Sequence, residues 1–314
     1  MNAIYYTQYG AADVLHYGEQ PTPTPQADQI LVRVRASSVN PVDWKIRSGS
    51  LKLLTGQNFP KIPGRDVAGE VAAVGSSVTR CKAGDRVYGM AEGIGGANAE
   101  YALLDERTFA FIPEKLDFAA AAAVPLGALT ALQALYHHGQ QLSGDRVLIN
   151  GASGGVGTFA VQIAKALGAG EITGVCGPDN AELVRSLGAD RILNHHEYDF
   201  TRDLSRYDLI FDAVGKSSYL AARPALRRNG RYVTTAPEPK DALTGTFAAV
   251  FSDKKMSVFL AANRGMDLAL ISAWLQAGTL RPIIAHTFPL AETAAAHRLS
   301  EEGRAAGKIV LLVE

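Results

Sequence analysis

Cysteine is nearly absent from this chain of 314 residues: only Cys81 and Cys176 occur, far apart. Two cysteines exclude a disulfide scaffold and a four-cysteine zinc lobe, and they suit a reducing compartment. An excess of one charge is missing too. Lys+Arg and Asp+Glu both number 31, so the net charge is zero, which argues against nucleic acid or an anionic membrane as the main partner. No stretch reaches the roughly 18 uninterrupted apolar residues that span a bilayer. The nearest, residues 118–135, is broken by Gly127, Thr130 and Gln133 and reads as a buried helix. The opening MNAIYYTQYG lacks the basic stretch and apolar run of a signal peptide, so a cytoplasmic protein is expected. Low-complexity tails and internal repeats are absent as well. What is present, 47% hydrophobic and 20% charged residues, is ordinary for a globular chain, and the length implies about two domains.

The chain changes character along its length. Residues 1–118 read as β-rich: 30–36 (ILVRVRA) alternates apolar and polar, the period of a half-buried strand. Residues 67–74 and 85–88 continue the pattern between Gly and Pro punctuation. From about 119, short apolar strands alternate with helical runs: 146–150, 172–176, 191–193, 209–214 and 231–235 as strands, 159–167 and 181–187 as helices. That alternation is the signature of a doubly wound parallel sheet. A last strand at 308–313 is placed to return to the first domain and make it discontinuous.

The most specific local motif is VLINGASGGVG at 147–157, where Gly151, Gly154 and Gly157 stand between a strand and a helix. A dinucleotide pyrophosphate needs backbone N–H groups at a helix N-terminus with no Cβ in the way, and glycines at this spacing supply that. Placement inside a strand–helix–strand run makes the pattern strong. None of the 11 tyrosines is followed by Lys four residues on, which removes the short-chain reductase reading. The second strand ends Val175-Cys176-Gly177 without an acid, which favours NADP over NAD. Asp179 counts in the other direction.

Taken together the segments SVNPVDWK (38–45), IPGRDVAGEVAAVG (62–75), GDRVYG (84–89), AAVPLGALTALQA (122–134), SLGAD (186–190) and GKIVL (307–311) resemble the zinc-free quinone oxidoreductase-like branch of the medium-chain dehydrogenase/reductase superfamily. The match runs nearly end to end. It implies an α/β chain: a GroES-like β-rich catalytic domain over 1–118, completed by 262–314, and a Rossmann doubly wound parallel-sheet cofactor domain over 119–261, with a cleft between them. It further implies NADPH as cofactor, a small quinone or enone substrate and commonly a homodimer. Metal-dependent members carry Cys in the segment matched by 37–44 and Gly-His-Glu where this chain has Gly64-Arg65-Asp66. A catalytic zinc takes about three protein ligands, so no zinc is expected. The adjacent pairs His137-His138 and His195-His196 should point apart as helix or strand neighbours do and read as surface or loop histidines.

The resemblance places Asn40 in the active-site segment, where its amide is a candidate donor to the substrate oxygen. Asp43 and Lys45 follow on the same turn; Lys45 is a candidate proton donor or polarising cation, the alternative being a solvated surface lysine. Trp44 is placed to line a pocket for a flat acceptor. For the cofactor the resemblance implies Thr130 beside the nicotinamide, Ser153, Gly154, Gly155, Val156 and Gly157 at the pyrophosphate, and Cys176, Gly177, Asn180 and His195 at the adenosine end. Phe259, Leu260 and Ala261 would offer backbone to the nicotinamide amide, and Lys308 matches a family lysine near the C-terminus. Related members often carry Ser, Arg and Tyr where this chain has Gly177, Asp179 and His195. The loops 47–59 and 240–253 are expected to shape the substrate pocket. The function expected is metal-free hydride transfer to quinones or α,β-unsaturated carbonyls. A zinc-independent alcohol or aldehyde dehydrogenase and an NADPH-binding protein with little turnover are the rivals.

Overall fold

The computed structural model describes residues 1–235, 239–250 and 252–314. Loop 240–253 of the sequence reading lies partly outside these residues; most of it is the helix Pro239–Val250.

The chain divides into two compact units, Met1–Leu126 with Asn263–Glu314, and Gly127–Ala262. The first contains the strands β1 (Asn2–Tyr5), β2 (His16–Glu19), β3 (Gln29–Val39), β4 (Asp66–Val74), β5 (Arg86–Met90), β6 (Tyr101–Asp105) and β7 (Phe109–Phe111). The second contains β8 (Arg146–Asn150), β9 (Glu171–Cys176), β10 (Arg191–Asn194), β11 (Tyr207–Asp212), β12 (Leu226–Thr234) and β13 (Lys255–Val258). The chain then returns to the first unit with β14 (Ile284–Pro289) and β15 (Lys308–Leu312). The unit boundary falls at Leu126, beyond the 118 expected from sequence. The helix Phe118–Ala122 packs on β3 and β4 and so belongs with the strands that precede it.

In the first unit the order is β14-β15-β3-β4-β5-β7, with β6 pairing β3. β15 runs antiparallel to β3, with Ile309 opposite Val39 and Val310 opposite Ser38. β3 alternates Ile30, Val32 and Val34 into a core shared with Val67, Val71, Val87, Leu104 and Leu311. In the second unit the order is β10-β9-β8-β11-β12-β13, all parallel. This is the 3-2-1-4-5-6 arrangement of a Rossmann sheet, whose strand order reverses between β8 and β11. The apolar run 118–135 is not one helix. It divides into Phe118–Ala122, Pro125–Leu132 and a π-helical turn Gln133–His138. Pro125 has no N–H to continue a preceding helix and is well suited to start one.

Candidate active site

In the second unit the strand ends dictate the site. Ligands of open α/β sheets bind outside the carboxyl ends of the strands, at the switch point, and there β8 runs into the glycine turn. Gly151 has φ +83°, the left-handed region that favours glycine. Gly151 and Ala152 both donate to the Val175 carbonyl of β9, at 3.1 and 2.9 Å. A Cβ on Gly157 would lie 2.0 Å from the Gly151 carbonyl oxygen, so the helix Gly157–Ala166 can start only from glycine here. A Cβ on Gly154 would meet nothing nearer than 3.5 Å, so Gly154 borders open space above the turn. The ten-residue helix starts directly from this glycine turn, with the Thr158 N–H donating to Gly154 O and the Ala160 N–H to Val156 O, each at 2.9 Å, and a helix start after a glycine turn is the arrangement that receives a pyrophosphate. These residues fit a dinucleotide.

The adenosine-end candidates come together around the same strand ends. Asn180 Nδ2 donates to Ser153 Oγ at 3.4 Å, and the His195 N–H donates to the Cys176 carbonyl at 3.2 Å. His195 Nε2 would lie 3.7 Å from a Cβ on Gly177, so the missing side chain leaves room beside the imidazole. Cys176 is buried and burial pushes its thiol up, which makes it a packing residue. His195 and His196 do not point apart: their ring centroids are 4.1 Å apart. Both follow the end of β10, in a turn, where strand alternation no longer separates neighbours. Burial first, then the charges of His196 and Lys216, hold His195 below the usual imidazole range.

Gly127 of the helix Pro125–Leu132 approaches this turn; a Cβ there would be 3.1 Å from the Gly155 carbonyl. Thr130, three residues on and buried, lies on the same helix face. The segment with Phe259, Leu260 and Ala261 is held at both ends. The Phe259 N–H donates to Thr234 O at 3.3 Å, and its ring stacks on His138 at 4.2 Å. Gln133 Nε2 donates to Ala262 O at 2.8 Å, and its Oε1 accepts from the Ala262 N–H at 2.9 Å. Gln133 is not among the site residues expected from sequence. A glutamine in an apolar helical run was the only available sign. A cavity of about 460 Å³ lined by Arg146 and Arg202–Arg206 lies by the amino ends of β8 and β11, opposite the end where Rossmann ligands bind.

In the first unit the register of three strands builds a separate candidate cluster. Ser38 pairs Asp66 across β3 and β4, and Ile309 pairs Val39. Asn40 and Lys308, one residue past that last pair, therefore face each other. Lys308 Nζ donates to Asn40 Oδ1 and, at 3.0 Å, to Asp66 Oδ2. Asp66 Oδ2 also accepts from Asn40 Nδ2 at 2.9 Å and Ser38 Oγ at 2.5 Å. Its Oδ1 accepts from the Leu126 N–H at 2.7 Å. All four side chains are buried. Lys308, expected at the cofactor, thus has its ammonium committed to Asp66 and Asn40. Asp66 is the hub, and it was not among the sequence candidates.

Asn40 precedes the helix Pro41–Arg47, with Pro41 at its first position. Asp43 reaches back to accept the Asn40 N–H at 2.7 Å, as in a capping box. Asp43 is 2% exposed and its Oδ1 has no partner. Burial, reinforced by the Asp66 charge, pushes its carboxyl up to about 7. Lys45 is half-buried, its ammonium 5.6 Å from the centre of the Trp44 ring, and Trp44 Nε1 is a buried N–H without a partner. Arg47, 1% exposed, closes the helix on the opposite side: it donates to Glu301 and meets His297 Nδ1 at 3.4 Å. Burial and the Arg47 charge push His297 down to about 3, so the imidazole is neutral.

The donor set around Asn40 holds no thiolate or imidazole, and an ammonium already sits on Asp66. Among the described residues no group of three or more His, Cys, Asp or Glu side chains is arranged to hold a metal ion, and no helix is long and apolar enough to cross a membrane.

An alcohol dehydrogenase GroES-like domain matches residues 26–114, and a zinc-binding dehydrogenase domain matches 187–311. A chloroplast envelope quinone oxidoreductase homolog of Arabidopsis thaliana is 35% identical, over 99% of this chain and 98% of its own length. The structure of a quinone oxidoreductase from Coxiella burnetii is 33% identical and superposes with TM-score 0.93, covering 100% of this chain and 99% of that one. A mycobacterial structure complexed with NADPH is 26% identical with TM-score 0.87, covering 99% and 100%. The chain belongs to the medium-chain dehydrogenase/reductase superfamily, in its zinc-free quinone oxidoreductase-like branch. It is an oxidoreductase of that family and binds a nicotinamide cofactor.

Proposed function

We propose that the protein reduces quinones or α,β-unsaturated carbonyls with NADPH, without metal or flavin. The observation that carries this reading is the Lys308 ammonium bonded to Asn40 Oδ1 while Asp66 accepts from Asn40 Nδ2. An ammonium on the amide oxygen draws density from the nitrogen and makes its N–H groups stronger donors. One Nδ2 proton goes to Asp66. The other meets Ser38 Oγ only at 3.5 Å, at the limit of hydrogen bonding. That second proton is the one Asn40 offers to an acceptor oxygen, which gains charge as the acceptor is reduced.

The nicotinamide supplies the hydride, so the protein's task is to orient and polarise. Gly154 to Gly157, Ser153 and Asn180 hold the dinucleotide, while Thr130 and the backbone of Phe259–Ala261 orient its nicotinamide. Asp43 fixes the backbone of Asn40 and acts as a positioning residue. Lys45 gives up a proton to the reduced product or leaves that to solvent. A homodimer in the cytoplasm completes the proposal, following the family resemblance and the neutral, cysteine-poor composition.

Steady-state assays with NADPH and NADH against 1,4-benzoquinone, 9,10-phenanthrenequinone and a simple enone test it. Turnover of at least one acceptor is expected, with Asn40→Ala lowering kcat about tenfold to a hundredfold, the usual worth of one oxyanion donor or somewhat less. Tight NADPH binding without turnover of any acceptor would reduce the protein to a cofactor-binding module.

A further inference from the structure

We propose that Lys216, on the loop after β11, reads the 2′-phosphate of NADPH and sets the preference for that cofactor over NADH. The inference rests on the NADPH reading above and assigns it a residue. Sequence inspection looks for this cation just after the second Rossmann strand. There the chain offers only Gly177, Pro178 and an exposed Asp179.

The fold brings a cation in from another strand. Asp212, at the end of β11 and fully buried, accepts from the N–H groups of Val214, Gly215 and Ser217 at 3.0–3.1 Å. It also accepts from Asn150 Nδ2 and the Tyr232 hydroxyl, each at 2.9 Å. Five donors on one carboxylate fix the loop 213–217 to the end of β8 and to β12. The loop then leans on the glycine turn: the Ala213 N–H donates to Asn150 O at 3.2 Å, and a Cβ on Gly151 would lie 2.2 Å from Val214 Cγ2.

Lys216 stands at the crest of this loop, exposed, with no hydrogen bond or ion pair among the described residues. Its charge reaches His195, whose ring in turn borders the space left by Gly177. Gly177 and His195 thus border one position at the carboxyl ends of β9 and β10, and the loop that carries Lys216 is fixed against the glycine turn at the carboxyl end of β8. Gly177 contributes room. His195 contributes a hydrogen-bonding nitrogen. Lys216 contributes a positive charge on a flexible stem, able to extend to a phosphate as a point charge. The loop beneath it is rigid, so only the side chain pays ordering entropy on binding. Asp179 opposes the same anion.

The test compares NADPH with NADH, and 2′,5′-ADP with 5′-AMP, by kinetics and by fluorescence or calorimetric titration of the intact protein. In Lys216→Ala the NADPH/NADH ratio of kcat/KM should fall about tenfold, the loss appearing in KM for NADPH, as for one charge-assisted contact. The variant should bind 2′,5′-ADP more weakly by a similar factor, and wild-type affinity for that ligand should decline with salt. Lys216→Arg should retain most of the preference, and Asp179→Asn should raise it. Lys255→Ala, an exposed lysine on β13, is the control and should leave the ratio alone. An unchanged ratio in Lys216→Ala, or the same fall in Arg185→Ala instead, would overturn the assignment. So would a wild-type protein that does not prefer NADPH. The quinone-reductase reading would survive that last result, because it stands on acceptor turnover with either cofactor.

Discussion

The two units build their functional surfaces from different materials. The second unit uses backbone: glycines that keep carbonyls and N–H groups exposed, a helix start, and an extended segment held by Gln133. The first unit uses buried charge: Lys308 on Asp66 and Asn40, Arg47 on Glu301, and Asp43 with an unpaired oxygen. A backbone site fails when atoms are added to it. A buried-charge site fails when atoms are taken away. That contrast predicts which substitutions damage binding and which damage stability.

The largest effect belongs to the first unit. Lys308→Met removes the cation from a fully buried Asp66 and leaves its carboxylate uncompensated. Breaking one partner of a buried pair costs roughly 3–5 kcal/mol, so urea unfolding should show a loss of that size. Adding Asp66→Asn removes the stranded charge, and the double variant should recover part of the loss, with a coupling of roughly 1–3 kcal/mol. Strict additivity would mean that the two side chains do not act as a pair, and the contrast between the units would lose its main support.

In the second unit the expected losses are in cofactor binding. Gly157→Ala places a Cβ 2.0 Å from the Gly151 carbonyl oxygen and must displace the turn. Nicotinamide cofactor affinity should fall about a hundredfold, equivalent to about 2.7 kcal/mol. Gly154→Ala sharpens the comparison. Its Cβ touches nothing closer than 3.5 Å, so stability should change by no more than about 0.5 kcal/mol. The same Cβ enters the space a pyrophosphate needs, so titration should still show weaker binding. Equal affinity in Gly154→Ala and wild type would place the dinucleotide elsewhere.

The same contrast decides what could be read from the sequence. The glycine turn was legible because its cause is local: three glycines between a strand and a helix need no distant partner. The parallel sheet was legible for a similar reason, through alternating strand and helix periods. The buried network was only half legible. Asn40 and Lys308 were both chosen, but 268 positions separate them, and their contact depends on β15 returning beside β3 in one register. Nothing in either residue's neighbourhood reveals that Asp66 joins them. The pair His195-His196 does lie exposed in a turn, as expected, but its rings do not point apart, because alternation was assumed where β10 had already ended. The split of 118–135 at Pro125 was legible in principle, since proline marks a helix boundary, but the apolar composition outweighed it.

The smallest effect per pH unit is also the most specific to the first unit. Unfolded, Asp43 titrates near 4; folded, it titrates at about 7 because burial and the Asp66 charge disfavour the carboxylate. Between those values the folded chain binds the extra proton, so this group makes stability fall as pH rises from about 4 to about 7. His297 works in the other direction. Unfolded it titrates near 6.5; folded it titrates at about 3, because burial and Arg47 disfavour the imidazolium. Between those values the unfolded chain binds the extra proton, so stability rises with pH across that window. The two slopes oppose each other between about pH 4 and 6.5 and largely cancel. Asp43→Asn keeps an acceptor for the Asn40 N–H but removes the titration, which leaves the His297 slope uncovered. Its unfolding free energy should climb with pH over that interval by up to about 1.4 kcal/mol per unit relative to wild type. A variant whose pH–stability curve runs parallel to wild type would show that Asp43 is ionised in the folded protein across this range. The buried charge of the first unit would then rest on Asp66, Lys308 and Arg47 without it.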